Sequence, residues 1–323
     1  MNIYSKEIDK YETFMNAVKD MIKGYKGEDY NVDIRPVVKN NGCIFYGLTI
    51  MKEKSKVAPT IYLEPFYERY KMGVRMDHII DEILHVNEIN TVTNQGELEF
   101  FMDYEKVREK LTIRLINYKE NESLLKDVPH RRYLDLAVVA CVEAFWVNNT
   151  FGSVLIHNNH ICMWGVKKEE LIDEAINNCS KTHPAIVKPL AEIVQELGVA
   201  INTAGDAGNQ NESDLLMCAN TMIVVSNDSK VYGAAVIVYP QMLKNMYKAL
   251  GREYYIIPSS VHEVIVIRKN NEMQPQNINM MINEVNSSEL AREDILSNHV
   301  YEYDSETEEL RPIYSCDEAY SFG

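Results

Sequence analysis

Paired cysteines are missing from this sequence: Cys43, Cys141, Cys162, Cys179, Cys218 and Cys316 are dispersed and form no C-x-x-C pair. That spacing excludes a zinc knuckle and a small disulfide scaffold, and reduced, mostly buried thiols are the expected role. Long apolar runs are missing too. The longest, near Leu136 to Val142, has the length of a buried strand and falls far short of the roughly 18 residues of a membrane helix. The opening MNIYSKEIDKYETFMNAVKD carries acids and bases without the apolar stretch of a secretory signal, so the expected location is cytoplasmic, with no membrane partner. Positive charge is scarce: 33 Lys+Arg stand against 48 Asp+Glu, a net charge of −15, which argues against nucleic acid as a partner. Phosphate-binding signatures are also absent. There is no G-x-x-x-x-G-K-[ST], and GDAG lacks the glycine spacing of a dinucleotide fingerprint, so no cofactor is expected.

What is present describes a folded chain of about two domains, with 323 residues and apolar and charged fractions near those of globular proteins. Ile8, Tyr11, Phe14, Met15, Val18, Met21 and Ile22 recur at helical spacing and predict a first helix ending near Gly24. DIRPVVKNNGCIFYGLTI predicts a hairpin turning at Asn40-Asn41-Gly42, because Asn-Gly accepts the positive φ of a tight turn. A strand at Thr60 to Leu63, a helix from Pro65 to Gly73 and another from about Asp77 to His85 follow. Val107, Leu111, Leu115 and Tyr118 predict an amphipathic helix over 104–118. The charged stretch KENESLLKDVPHRR is the expected junction between an N-terminal α+β domain, 1–126, and a C-terminal one, 127–323.

In the second half YLDLAVVACVEAFWV favours a strand, with helix left open by its length. GSVLIHNNHICMW predicts a hairpin turning at Asn158-Asn159, followed by a helix from Lys168 to Cys179, and Pro189 starts a helix ended by Gly198. TAGDAGNQNESD has no apolar periodicity and predicts a mobile loop. TMIVVSNDSKVYGAAVIVY predicts a third hairpin, turning at Asn227-Asp228-Ser229. Then come the helix QMLKNMYKALG, the strands YYIIP and VHEVIVI, a helix about Ile278 to Glu289, and an acidic surface tail after Asp304. One internal echo stands out. GVRMDHIIDEIL from Gly73 and GVKKEELIDEAI from Gly165 share five identities in twelve, each a stop-glycine, a basic residue and an acidic-faced helix. The resulting fold class is α+β: repeated antiparallel β-hairpin plus helix modules, with helices on one face of mixed or antiparallel sheets.

Candidate chemistry is sparse. Ser259, Ser260, His262 and Glu263 lie together after a proline, the one place where a hydrolase or transferase site would be sought. Neighbours on a strand point to opposite faces, so His262 sides with Val264 and Val266 while Glu263 sides with Val261 and Ile265, and no local relay forms. No G-x-S-x-G elbow supplies an oxyanion site. His157-x-x-His160 and the helical trio His78, Asp81 and His85 offer ligand types for zinc, but neither set is complete and H-E-x-x-H is absent, so no metal is expected. Arg131-Arg132, Lys167-Lys168 and Lys52, Lys54 and Lys56 read as solvated faces without interleaved aromatics. The 20 tyrosines are more distinctive. Tyr62, Tyr67 and Tyr70 form one cluster and Tyr301 and Tyr303 another, and tyrosine suits partner surfaces because it combines contact area with a polar tip.

Taken together, VKNNGCIFYGLTI, PTIYLEPFYERYKMG, NTFGSVLIHNNHICMWGVKKEEL, SKVYGAAVIVYP, LGREYYIIPSSVHEVIVI and MINEVNSSELAREDILSNHVYEYD resemble a domain-of-unknown-function family found in anaerobic gut Gram-positive bacteria. The resemblance covers nearly the whole chain. Val154 to Ile176 is also distantly similar to the YtpQ-like uncharacterised bacterial family. These resemblances imply a bacterial cytosolic origin and direct attention to Pro258–Glu263 and Asn298–Asp304, but imply no activity. The expected function is a non-enzymatic module binding an unidentified protein or peptide through hairpin edges and tyrosine-rich surface. The alternatives are a hydrolase or transferase near Ser259, Ser260, His262 and Glu263, and a nucleic-acid-associated accessory protein of a mobile element.

Overall fold

The computed structural model describes residues 3–53, 58–93, 97–147, 150–196, 222–270 and 274–314. The stretch 203–214, expected as a loop, lies outside the described residues. The chain forms two compact units, one of residues 1–107 with 143–153, the other of residues 108–142 with 154–323.

In the first unit the opening helix α1 (Ile3–Lys26) ends where Gly27 takes a φ of +76° and its N–H donates to the Lys23 carbonyl at 3.0 Å. Strands β1 (Tyr30–Val38) and β2 (Ile44–Lys52) pair antiparallel, and β3 (Thr60–Tyr62) joins β2 on its other side. The expected turn is present: Asn41 and Gly42 have φ of +54° and +67°, and Lys39 N–H donates to Cys43 O at 2.7 Å. α2 (Glu64–Lys71) and α3 (Met76–Thr93) flank Gly73, whose φ is +94°. Two short helices, α4 (Glu97–Met102) and α5 (Tyr104–Arg108), follow. One sheet face carries Val32, Leu48, Ile50 and Ile61 and packs with Phe14, Val18 and Ile22 of α1 and Ile79, Ile80 and Ile83 of α3. Each such buried side chain contributes about 1.5–3 kcal/mol relative to exposure, so the period-2 and period-3.6 stripes meet in one core.

The second unit holds a six-stranded antiparallel sheet and most of a four-stranded one, of which residues 143–153 count with the first unit. β4 (Leu111–Asn117) and β5 (His130–Tyr133) flank β6 (Leu136–Val147), β7 (Thr150–Leu155) also pairs with β6, and α6 (Glu122–Leu125) sits between β4 and β5 in sequence. The helix expected over 104–118 is therefore confined to α5, and its second half is a strand. Four of the residues 111–117 are Leu or Ile and one is Thr, and β4 is buried on both faces, so burial overrides the helical spacing. The hairpin expected at Asn158-Asn159 is instead a helix start, since α7 (Asn158–Trp164) begins there and ends at Gly165 with φ of +67°. α8 (Lys168–Thr182) packs on β4 and β5.

The larger sheet runs β13-β12-β10-β11-β9-β8 and comprises β8 (Ala185–Pro189), β9 (Met222–Asn227), β10 (Tyr254–Ile257), β11 (Val264–Arg268), β12 (Tyr301–Asp304) and β13 (Glu309–Pro312). α9 (Leu190–Glu196) begins one residue after the expected Pro189, which closes β8. The third expected hairpin does not form. β9 already has β8 and β11 on its two sides, and Gly233–Val238 winds into a buried 3-10 helix. α10 (Met242–Leu250) and α11 (Pro275–Ser288) complete the unit, with Ile278 and Ile282 packed on Tyr255, Ile257 and Ile267. The tail after Asp304 includes β13, whose Leu310 is buried.

The fold class is α+β, and the sequence echo corresponds to a shared order of elements. β3-α2-Gly73-α3 and β7-α7-Gly165-α8 each run strand, short helix, left-handed glycine, longer helix. Among the described residues, three of the four edge strands of the three- and six-stranded sheets carry a proline, Pro36 in β1, Pro189 in β8 and Pro312 in β13. A proline lacks the N–H that an added strand would use, which blunts these edges.

Candidate functional site

Three loops of the second unit converge on His262. The first leaves β9 through an Asn227-Ser229 turn, in which Ser229 Oγ donates to Asn227 Oδ1 at 3.1 Å and Asn227 Nδ2 donates to Val231 O at 3.0 Å. This turn drives Lys230 and Tyr232 into left-handed φ of +57° and +52°. The second is Pro258–Glu263, which is a loop rather than the strand start expected from VHEVIVI. Its Ser260 hydroxyl accepts His262 N–H at 3.0 Å, and Ser260 N–H donates to Glu263 O at 3.2 Å, a closed local turn. The third contains Asp294, whose carbonyl accepts Val261 N–H at 2.8 Å.

The imidazole sits between these loops with both nitrogens occupied. Nδ1 accepts Tyr232 N–H at 3.1 Å, which fixes the hydrogen of a neutral ring on Nε2, 3.3 Å from Asp294 Oδ1. The His262 carbonyl accepts Ser226 Oγ–H at 2.8 Å. The Tyr232 ring lies between His262, tilted 39° to it at 5.5 Å centroid to centroid, and the Arg114 guanidinium, 4.0 Å from its ring. Burial pushes the Tyr232 phenol above its ordinary pKa, Arg114 opposes this, and Cys141, Asp294 and Glu293 add to the rise. Gly233 is required beside them: a Cβ there would lie 2.1 Å from Ser226 Oγ and 2.6 Å from His262 O.

The fold thus gathers Ser260 and His262 into one turn and adds Tyr232, Asp294 and Arg114, which the sequence analysis missed. The only local signal for them is the polar turn before Tyr232; the rest is tertiary. Ser259 is half-buried, and Glu263 enters through its carbonyl. A general base needs a free lone pair within reach of the nucleophile, and Nδ1 of His262 is engaged by the Tyr232 backbone amide.

The tyrosine candidates divide. Tyr301 and Tyr303 are 0 % and 1 % exposed, so they are core residues of the second unit and not surface ones. Tyr301 OH donates to Asp135 Oδ1 at 2.8 Å, and Tyr303 stacks on Tyr254 at 4.9 Å. In the first unit Tyr67 packs on Tyr11 and Phe14 at 4.5 and 5.2 Å, while Tyr70 is 43 % exposed beside Phe14. Tyr11 OH donates to Glu64 Oε1 at 2.9 Å, and burial, then Glu64, raise its pKa. Tyr62 lies under Lys39 Nζ at 3.7 Å and meets Phe45 edge-on at 5.9 Å. At the same hairpin end Val38 and Ile44 face each other in register and are 54 % and 58 % exposed.

Among the described residues no group of three or more His, Cys, Asp or Glu is placed to hold a metal ion. His78, Asp81 and His85 line an exposed face of α3, and His157 and His160 cap α7. An open depression of about 730 Å³ runs along α8, with Arg108, Glu170, Asp173 and Lys181 in its walls. Arg108 pairs with Glu174 at 2.5 Å and Arg131 with Asp173 at 2.8 Å, so these two arginines are matched by acids.

A family pattern matches residues 11–305. The chain belongs to DUF5688, a family of unknown function. No curated protein and no solved structure matches it. The loop cluster around His262 and the exposed hairpin end both lie within the span matched by DUF5688. Among the described residues, no helix is long and apolar enough to cross a membrane.

Proposed function

We propose that this DUF5688 chain is a non-enzymatic module that binds a protein or peptide through side chains at the β1–β2 hairpin end. The observation that carries this reading is the exposure of Val38 and Ile44, opposite each other on one face of the hairpin end whose other face carries the Lys39–Tyr62–Phe45 group. The hairpin end thus offers an apolar pair on one face and an aromatic–cation pair on the other, contact types enriched at partner surfaces. The prolines in β1, β8 and β13 weigh against strand addition, so the partner is read by side chains and not by an edge. The hydrolase alternative loses support from the two occupied nitrogens of His262. Nucleic-acid binding loses support from the net charge of −15 and the paired arginines.

The test is affinity capture from cells that naturally express the protein, comparing wild type, a Val38→Asp/Ile44→Asp variant and His262→Ala. A protein retained by wild type and His262→Ala but lost from the hairpin variant supports the proposal. Identical capture by wild type and the hairpin variant, or no specific capture at all, overturns it.

A further inference from the structure

The H-x-x-H motif is absorbed neither by a metal nor by the proposed binding surface, and its geometry has a distinct chemistry. His157 is the N-cap of α7, and its backbone N–H donates to Nδ1 of His160 at 3.0 Å. His160 stands where a capping box normally places Glu or Gln, three residues into the helix with its side chain reaching back to the cap amide. Unlike those residues, an imidazole nitrogen can accept this bond only while it is unprotonated. His157 has the complementary arrangement: its Nδ1 lies 2.8 Å from Asp127 Oδ2. The same turn holds the start of α7 by two further bonds, from Asn158 N–H to Asp127 O at 2.8 Å and from Asn158 Nδ2 to Lys126 O at 3.1 Å.

We propose that His160 makes the first turn of α7 an acid-released latch, closed when Nδ1 of His160 is bare and loosened when mild acid protonates it. The incoming proton places an N–H against the His157 N–H, so an acceptor becomes a second donor and the capping bond is lost. Its tie to the turn at Lys126 and Asp127 then rests on Asn158 and the His157–Asp127 pair. The titratable groups facing His160 are His157 on its own element and Asp127 on the turn after α6; the ring of Trp164 lies 5.9 Å away. Burial, and after it His157, lower the pKa of His160, while Asp127 opposes them. A lowered histidine pKa means that the unfolded turn binds the proton more readily than the folded one. The latch is therefore fully closed above the ordinary histidine value of about 6.5 and weakens progressively as pH falls below it.

Hydrogen–deuterium exchange of the α7 amides, corrected for intrinsic rates, tests this in the full chain between about pH 7.5 and 5. In wild type, protection at 158–162 is expected to fall roughly five-fold, the loss of one cap bond. His160→Gln restores the ordinary capping box with a group that does not titrate, so its protection is expected to stay flat over the same range. Constant protection in wild type, or a parallel fall in wild type and His160→Gln, overturns the proposal. If His160→Gln does not fold, nitrogen chemical shifts of wild-type His160 serve instead. α7 amides that shift with the same midpoint as Nδ1 support the latch, and α7 amides that ignore the titration overturn it.

Discussion

The backbone N–H of Tyr232 donates to Nδ1 of His262 at 3.1 Å from a residue held at a left-handed φ of +52°. A tyrosine in that region costs on the order of 1–3 kcal/mol and persists only where its surroundings impose it. His262 is one of those surroundings, which makes it a positioning residue of the loop cluster. His262→Ala is expected to lower unfolding free energy by about 1–3 kcal/mol, the range for a buried donor losing its partner. His262→Asn, which can offer an oxygen near the Nδ1 position, should recover part of the loss. Urea denaturation measures both, and a silent His262→Ala would refute this role.

Gly233→Ala is expected to be more damaging than its size suggests. The added methyl meets Ser226 Oγ, His262 O and Asn227 N at 2.1, 2.6 and 2.7 Å, and two of these three are backbone atoms that cannot swing away. A loss of about 2 kcal/mol or more is predicted, with loosening of the 228–233 loop in hydrogen exchange. A change below about 0.5 kcal/mol would show that the loops relax around the methyl and that their packing is not tight.

Buried phenols set the alkaline limit of the fold. Burial raises the pKa of Tyr254, Tyr301 and Tyr303, and Asp135 pushes Tyr301 further in the same direction. Their unfolded forms lose the proton near pH 10, the folded forms only above it. Stability from this source is therefore intact below about pH 10 and declines as pH rises through and beyond it. Tyr301→Phe keeps the packing but leaves Asp135 with Ser297 Oγ, at 2.6 Å, as its remaining side-chain donor. It is expected to cost about 1–3 kcal/mol at neutral pH and to flatten the alkaline decline, both readable by denaturant titration at a series of pH values.

Lys269 supplies the opposite case. It bridges Glu253, at 3.2 Å, and Glu302 across neighbouring strands, which raises its pKa, yet its side chain is 38 % exposed. Water and salt screen such a network, so Lys269→Met should change stability by less than about 1 kcal/mol, and added salt should shrink even that. A larger, salt-resistant loss would contradict this.

The elements legible in the sequence are those whose stop signals are local. Asn41, Gly42, Gly73, Gly165 and Gly251 each adopt the positive φ that the neighbouring turn or helix end demands, and the hairpin and helices beside them lie close to where they are expected. Misreadings arise where burial or partner availability decides. Val107, Leu111, Leu115 and Tyr118 do fall at helical spacing, but β4 is needed beside β6 and is buried on both faces. VYGAAVIVY has the composition of a strand and finds no free edge, because β9 is flanked on both sides. The site follows the same rule. Ser260 and His262 are visible because they are two residues apart in sequence, whereas Asp294 and Tyr232 reach the imidazole, and Arg114 the Tyr232 ring, only through long-range folding. Tyr301 and Tyr303 mislead because a tyrosine at an interface and one in a core carry the same letter.

Residues 143–153 count with the first unit although the chain on either side of them counts with the second. The polypeptide therefore changes unit three times, at 107/108, 142/143 and 153/154. After a single proteolytic nick at least one of the two fragments still carries residues of both units, and a truncation at any one of these positions deprives one unit of part of itself. Deletion series on this chain will report incomplete bodies wherever they cut, whereas an insertion at 107/108 would leave every segment of both units on the chain.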